Sequence, residues 1–100
     1  MILRTGDKNI PYDATITCDI TDAESVSIDI MSPAGVETKY PVDLDDISNP
    51  GQIATIVIGD IFLGEGDYVV SVVITYINGA VIASDNVDVL HVYGKYDEVV

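Results

Sequence analysis

The sequence predicts an all-β domain built from about seven antiparallel strands, and three observations lead there. Apolar residues recur with period two, the spacing that puts alternate side chains on one face of a strand. Turn-forming residues separate these runs at intervals of about eight to twelve residues, as in sandwiches and barrels. No run sustains the 3.6-residue period of an amphipathic helix. The chain has 100 residues, of which 48% are hydrophobic, enough for one domain with one core. Low hydrophobicity, which disorder requires together with high charge, is missing.

The runs follow in order. Ala14 to Ile20 alternates, with Ala14, Ile16, Cys18 and Ile20 on one face and Thr15, Thr17 and Asp19 on the other. Ser25 to Met31 places Val26, Ile28 and Ile30 inward. Val36 to Leu44 is interrupted by Pro41, which suits an edge position because proline has no N–H for a neighbouring strand. Gln52 to Ile58 is β-branched, with Ala54, Ile56 and Ile58 as its inner face. Tyr68 to Ile77 is the longest strand. Asn86 to Tyr93 closes the set, with Val87 and Val89 expected inward and His91 on the same side.

The breaks carry turn chemistry. Ser32-Pro33-Ala34-Gly35 and Ser48-Asn49-Pro50-Gly51 have Pro and Gly at turn positions. Asn78-Gly79 lies between two apolar runs, a strong hairpin signal. A two-residue turn there pairs Tyr76 with Val81 and Ile74 with Ala83. Thr21-Asp22-Ala23-Glu24 has the form of a helix capping box, but no helical period follows, so a short turn is expected. The domain is taken as residues 1–93, with 94–100 as a C-terminal tail. Met1 at the start leads us to expect a whole gene product.

One motif narrows the architecture. Gly66-Asp67-Tyr68-Val69-Val70-Ser71-Val72 has the form of the penultimate strand of an immunoglobulin-like sandwich. There a Tyr two residues before an inward position bonds back to the upstream backbone as a tyrosine corner. Tyr68 would be that Tyr, and Val70 stands where antibody domains carry a cysteine. The expected fold is therefore an immunoglobulin-like antiparallel β-sandwich of about seven strands.

Charge excludes several function classes. Seventeen acidic residues face four Lys and Arg, a net charge of −13. The cations Arg4, Lys8, Lys39 and Lys95 are scattered, whereas a nucleic-acid backbone needs clustered ones. Neither nucleic acid nor an anionic membrane is expected as a partner. The charge favours solubility and steering towards a basic surface. No apolar run is long enough to cross a bilayer, and no signal-peptide pattern opens the chain. With Cys18 alone there can be no internal disulfide. These features point to synthesis in a reducing cytoplasm.

No constellation carries catalysis, and no cofactor is expected. His91 is the one histidine and has no neighbouring Cys or second His for zinc. Cys18, on the apolar face of its run, reads as a core thiol. Gly64-Glu65-Gly66-Asp67 lacks the lysine and helix of a phosphate loop. Asp43, Asp45 and Asp46 form the densest acidic cluster and are the calcium candidates, although calcium needs six to eight converging oxygens and the spacing fits no EF-hand loop. A solvated acidic loop is the ordinary explanation. The longest strand is apolar on both faces, with Val69 and Val73 opposite its core side, and Val57 is likewise opposite the core side of its strand. Exposed apolar surface of this kind marks contact sites, so Val57, Val69 and Val73 are the interface candidates.

In the order of these motifs the chain resembles the immunoglobulin-like domains of bacteriophage virions, in particular the N-terminal domain of phage baseplate upper proteins. The resemblance rests on Leu3-Arg4-Thr5-Gly6-Asp7, the run Ala14 to Ile20, the turn Ser32-Pro33-Ala34-Gly35, the Gly66-Asp67-Tyr68 strand and the Asn78-Gly79 hairpin, and covers Ile2 to Val92. It implies a non-enzymatic structural or adaptor protein of a phage particle, located in the virion, in a tail, baseplate, neck or capsid accessory role. The implied partners are other virion proteins and further copies of the chain in a symmetric assembly. The helical and receptor-binding extension of that family does not follow Val100 in this sequence. The alternative is a calcium-dependent extracellular or carbohydrate-binding module. Val73→Asp is expected to weaken assembly if Val73 is exposed and to unfold the chain if it is buried.

Overall fold

A computed structural model describes residues 2–48, 51–83 and 88–97. Eight strands are present among them: β1 Leu3–Arg4, β2 Ile10–Thr15, β3 Ala23–Met31, β4 Glu37–Val42, β5 Ile53–Ile58, β6 Gly66–Tyr76, β7 Val81–Ala83 and β8 Asp88–Tyr93. A single 3-10 turn, Leu44–Asp46, lies between β4 and β5. The larger sheet runs β1-β8-β6-β3-β4, with β7 also on β6, and the smaller sheet is β2-β5. The chain is all-β. Its larger sheet is mixed, because β1 runs parallel to β8 through Leu3–Val92 and Arg4–Tyr93, which corrects the wholly antiparallel expectation.

One apolar core draws on both sheets. Val26, Ile28 and Ile30 of β3 and Tyr68, Val70, Val72 and Ile74 of β6 are buried from one side. Ala14 of β2 and Ala54, Ile56 and Ile58 of β5 are buried in the same cluster. These are the residues that the period-two pattern places inward, because neighbouring side chains on a strand point to opposite faces. Phe62, in the loop after β5, packs edge-on against Tyr68 with ring centres 5.0 Å apart.

Three further expectations are corrected. The run read as a strand from Ala14 to Ile20 is strand only up to Thr15, as the end of β2, Ile10–Thr15. Its apolar alternation continues past the strand because Ile16 stays buried while Gln52, at φ 47°, turns the chain beside it. Gln52 holds that crossing with its side-chain amide, donating to the carbonyls of Ile16 (2.7 Å) and Cys18 (3.0 Å). The Asn78-Gly79 hairpin has a three-residue loop: Tyr76 N–H donates to Ala80 O and Gly79 N–H to Tyr76 O. With Gly79 at φ 91° this is a turn closed by a left-handed residue. It shifts the register to Ile74–Ile82, Thr75–Val81 and Val73–Ala83. The inward face of β8 is Leu90 and Val92, while Val89 and His91 face solvent. Val87, Asn86, Asn49 and Pro50, on which other expectations rested, lie outside the described residues. At the start of the tail, Gly94–Asp97 forms a turn. Asp97 N–H donates to Gly94 O, and the Arg4 guanidinium donates to the carbonyls of Gly94 and Asp97. Residues 98–100 lie outside the description.

Hydrogen-bond alternation tells which backbone groups each outer strand turns outward. In the small sheet Ile16 N–H donates to Gln52 O, so Ala14–Ala54, Tyr12–Ile56 and Ile10–Ile58 exchange the ladder bonds. Pro11, Asp13, Thr15, Thr55 and Val57 therefore turn their backbone groups away from the ladder. On β4, Ser32 N–H donates to Val36 O, which leaves Glu37, Lys39 and Pro41 facing the free edge. Pro11 and Pro41 thus stand where a missing N–H costs nothing.

Candidate functional site

The five-strand path of the larger sheet turns one face to the core and the other to solvent. On the solvent face three apolar side chains stand side by side: Met31 of β3 pairs with Val69 of β6, and Val69 pairs with Val89 of β8. They are 39%, 39% and 53% exposed. Directly opposite residues in a sheet share a face, with Cβ atoms about 5 Å apart, so the three form one continuous row. Glu37 of β4 lies opposite Met31 and extends the row with a carboxylate.

Polar pairs bound the row on both long sides. Two positions along β6, Asp67 faces His91, and Asp67 Oδ1 lies 2.6 Å from His91 Nδ1. The His91 ring packs edge-on against Tyr93 at 4.4 Å. On the other side Asp29 accepts from Ser27 Oγ (2.8 Å) and from Lys39 Nζ (3.1 Å). Asp29 is the one buried charged residue among those described, at 7% exposure. Lys39 also reaches Glu37 at 2.9 Å. Hydrogen bonds to Glu37 and then Asp29 raise the Lys39 ammonium above the usual lysine range.

The interface candidates divide between two surfaces. Val69 lies at the centre of the row. Val73, on the same face, is half-buried between Ser27 and Ala83. Val57 is 58% exposed but belongs to β5, whose core side carries Ala54, Ile56 and Ile58. It therefore faces away from the molecule on the smaller sheet. Met31 was legible from its alternation with Val26, Ile28 and Ile30. Val89 was not, because Leu90 and Val92 form an equally apolar alternative face of β8.

The other candidates do different work. Tyr68 O–H donates to Gly64 O at 2.7 Å, and the Gly64 N–H donates back to the hydroxyl at 3.3 Å. Tyr68 is thereby tied to the backbone four residues upstream, the arrangement expected of a tyrosine corner. Cys18 is a half-buried free thiol packed against the core. Asn78 Oδ1 accepts from Ala80 N–H and so fixes the hairpin loop ahead of Gly79. Asp43 accepts from Asp45 N–H and caps the 3-10 turn, with Asp45 and Asp46 exposed on it. Among the described residues no group of three or more His, Cys, Asp or Glu side chains is placed to hold a metal ion.

Two clefts remain. An apolar one of about 310 Å³ opens between the β3–β4 turn and the loop after β5, lined by Ile30, Pro33, Val36, Ile61, Leu63 and Tyr68. A polar one of about 280 Å³ lies where β2 faces β6 and β8, and there Tyr12 O–H donates to Asp88 at 2.6 Å. Burial, then the bond to Asp88 and its charge, pushes the Tyr12 phenol far above the usual tyrosine range. No family model, curated protein or solved structure matches the chain.

Proposed function

We propose that this chain is an immunoglobulin-like β-sandwich acting as a non-enzymatic adaptor of a bacteriophage particle, docking other virion proteins on the solvent face of its larger sheet. The observation that carries the docking role is the Met31–Val69–Val89 row. Three adjacent strands each present an apolar side chain to water at one level, where an isolated domain would place polar residues. The sandwich assignment is supported by the tyrosine corner at Tyr68, by the β2–β5 pair set against the β8-β6-β3-β4 order, and by β1 running parallel to β8. The virion assignment rests on the order of motifs from Leu3-Arg4-Thr5-Gly6-Asp7 to Asn78-Gly79.

The partner surface follows from charge. Glu37 and Asp67 border the row, and the chain carries −13 overall. The complement is an apolar patch rimmed by Lys and Arg, since opposed charges set register and on-rate while like charges repel.

Mass spectrometry of particles of the phage encoding this chain is expected to find it at a fixed copy ratio. Val69→Lys should lower its incorporation about tenfold, corresponding to about 1.4 kcal/mol. The same substitution should leave the melting temperature of the isolated chain nearly unchanged, as expected for an exposed site. Particles that lack the chain, or incorporate the variant normally, would overturn the reading. Val69 replaces Val73 as the test position because Val73 is half-buried.

A further inference from the structure

The turn between β3 and β4 and the loop after β5 face each other across the apolar cleft of about 310 Å³. That volume lies at the lower end of the about 300–1,000 Å³ typical of ligand sites. The floor of the cleft is core: Ile30 and Tyr68, which line it, are 1% and 2% exposed. Hydrogen bonds fix both walls. In the turn, Ser32 N–H donates to Val36 O and Gly35 N–H to Ser32 O, each at 2.9 Å, and Val36 N–H donates to Ser32 Oγ at 3.1 Å. In the loop, the buried Phe62 accepts at its carbonyl from Gly6 N–H at 2.9 Å. Gly59 N–H donates to the Tyr40 hydroxyl at 3.0 Å, and Gly64 is bonded to the Tyr68 hydroxyl. A cleft with walls held this way binds without first ordering them, which removes part of the cost of association.

Two features of the lining restrict what can fill it. Val36 and Leu63 line the cleft and are 62% and 78% exposed, so apolar surface continues from the floor out to solvent. Asp60 and Glu65 line it as well, on the same loop as Leu63, and both are exposed. Among the described residues neither carboxylate has a cation as partner. The ion pairs there join Lys39 to Asp29 and Glu37, and His91 to Asp67. No Lys, Arg or His is among the described residues that line the cleft.

We infer that this cleft is a binding site for a segment of a partner protein that carries an apolar side chain next to Arg or Lys. The apolar side chain fills the space over Ile30 and Tyr68, and the cation meets Asp60 and Glu65. Charge selects this chemistry. An anionic group would face both carboxylates and a chain of net charge −13, whereas a cation is drawn by both. Extent selects a segment over a small amine. A ligand confined to the cleft leaves the outer surface of Val36 and Leu63 in water, and a chain crossing the mouth buries it. The site is separate from the Met31–Val69–Val89 face, because Tyr68 and Val69 are neighbours on β6 and point to opposite sides of the sheet.

The test is a titration of the isotopically labelled chain, followed by amide NMR, with the peptide acetyl-Leu-Arg-Leu-amide. Concentrations up to about 10 mM cover dissociation constants in the millimolar range. The amide signals of Val36, Ile61 and Leu63 should move and saturate. Acetyl-Leu-Glu-Leu-amide and acetyl-Ser-Arg-Ser-amide should each bind about tenfold more weakly or worse, the first for its charge and the second for its missing apolar groups. The double variant Asp60→Asn, Glu65→Gln should close most of the gap between the Arg and Glu peptides. Its melting temperature should stay nearly unchanged, as both sites are exposed. Val69→Lys should leave the response at positions 36, 61 and 63 in place, so this site and the sheet-face docking reading fail separately. No saturable movement at those positions would overturn the proposal. So would equal binding of the Arg and Glu peptides, or a gap between them that the double variant leaves unchanged. Butylammonium binding as tightly as the Arg peptide would overturn the assignment of a protein segment.

Discussion

Tyr68 shows how much one side chain can organise. Its ring is 2% exposed and packs on Phe62, while its hydroxyl accepts from and donates to Gly64. The loop between β5 and β6 is thereby fixed to the start of β6. Tyr68→Phe keeps the ring and removes both bonds. It is expected to cost about 1–2 kcal/mol, the usual loss when partly buried backbone groups lose a partner, read from urea denaturation. The buried Asp29 carboxylate gives a second test. Lys39→Met leaves it with Ser27 as its remaining side-chain partner, so stability should fall, and Asp29→Asn in the same chain should restore most of it. Tyr12 sets an alkaline limit. Its phenol is raised by burial, by the Asp88 bond and by the Asp88 charge, while the unfolded chain titrates near pH 10. The neutral form is held in the fold, so its contribution is complete below about pH 10 and declines as pH rises beyond it. Urea midpoints between pH 8 and 11 should fall less steeply for Tyr12→Phe. Some loss will remain, because Tyr76 is also raised, by burial and then by Cys18 and Asp19.

Among the elements, the inner faces of β3, β5 and β6 were legible because each alternates without ambiguity: Val26-Ile28-Ile30, Ala54-Ile56-Ile58 and Tyr68-Val70-Val72-Ile74. The edge position of β4 was legible from Pro41. β8 was not, since Val89 and His91 on one face compete with Leu90 and Val92 on the other. The contact with β6 through Tyr68–Leu90 decides it, and no local pattern encodes that pairing. The docking row shared this fate: its β3 and β6 members follow from alternation, and its β8 member follows from register alone. Turn geometry was half legible. Glycine marked the hairpin, but loop length, and with it the pairing of Ile82, depends on Gly79 adopting φ 91°. Glycines differ in what they hold. Gly35, at φ 85°, has open space where a Cβ would stand, whereas Gly66, at φ 130°, would place one 2.8 Å from Pro33 Cγ. Gly35→Ala is expected to cost about 1 kcal/mol of backbone strain. Gly66→Ala should cost clearly more, because the β3–β4 turn must also move. Thermal melts of the two variants side by side check the order.

At the scale of the whole molecule, shape and charge act together. The radius of gyration is 14.5 Å, against about 13 Å for a compact chain of 100 residues. The excess follows the long axis, and elongation spreads the charge. Even so, 17 acidic groups against four Lys and Arg leave the folded chain repelling itself, and that repulsion acts over the screening length. This length falls from about 30 Å at 0.01 M salt, comparable with the shorter dimensions of the molecule, to about 8 Å at 0.15 M. The melting temperature should therefore rise as sodium chloride is added across that range. A chain held by attractive surface pairs would show the opposite slope, and here the surface cations are too few to supply them. Docking to a basic-rimmed partner draws on opposed charge, so partner affinity measured at about 0.01 and 0.15 M salt should fall over the same range in which the melting temperature of the chain alone rises.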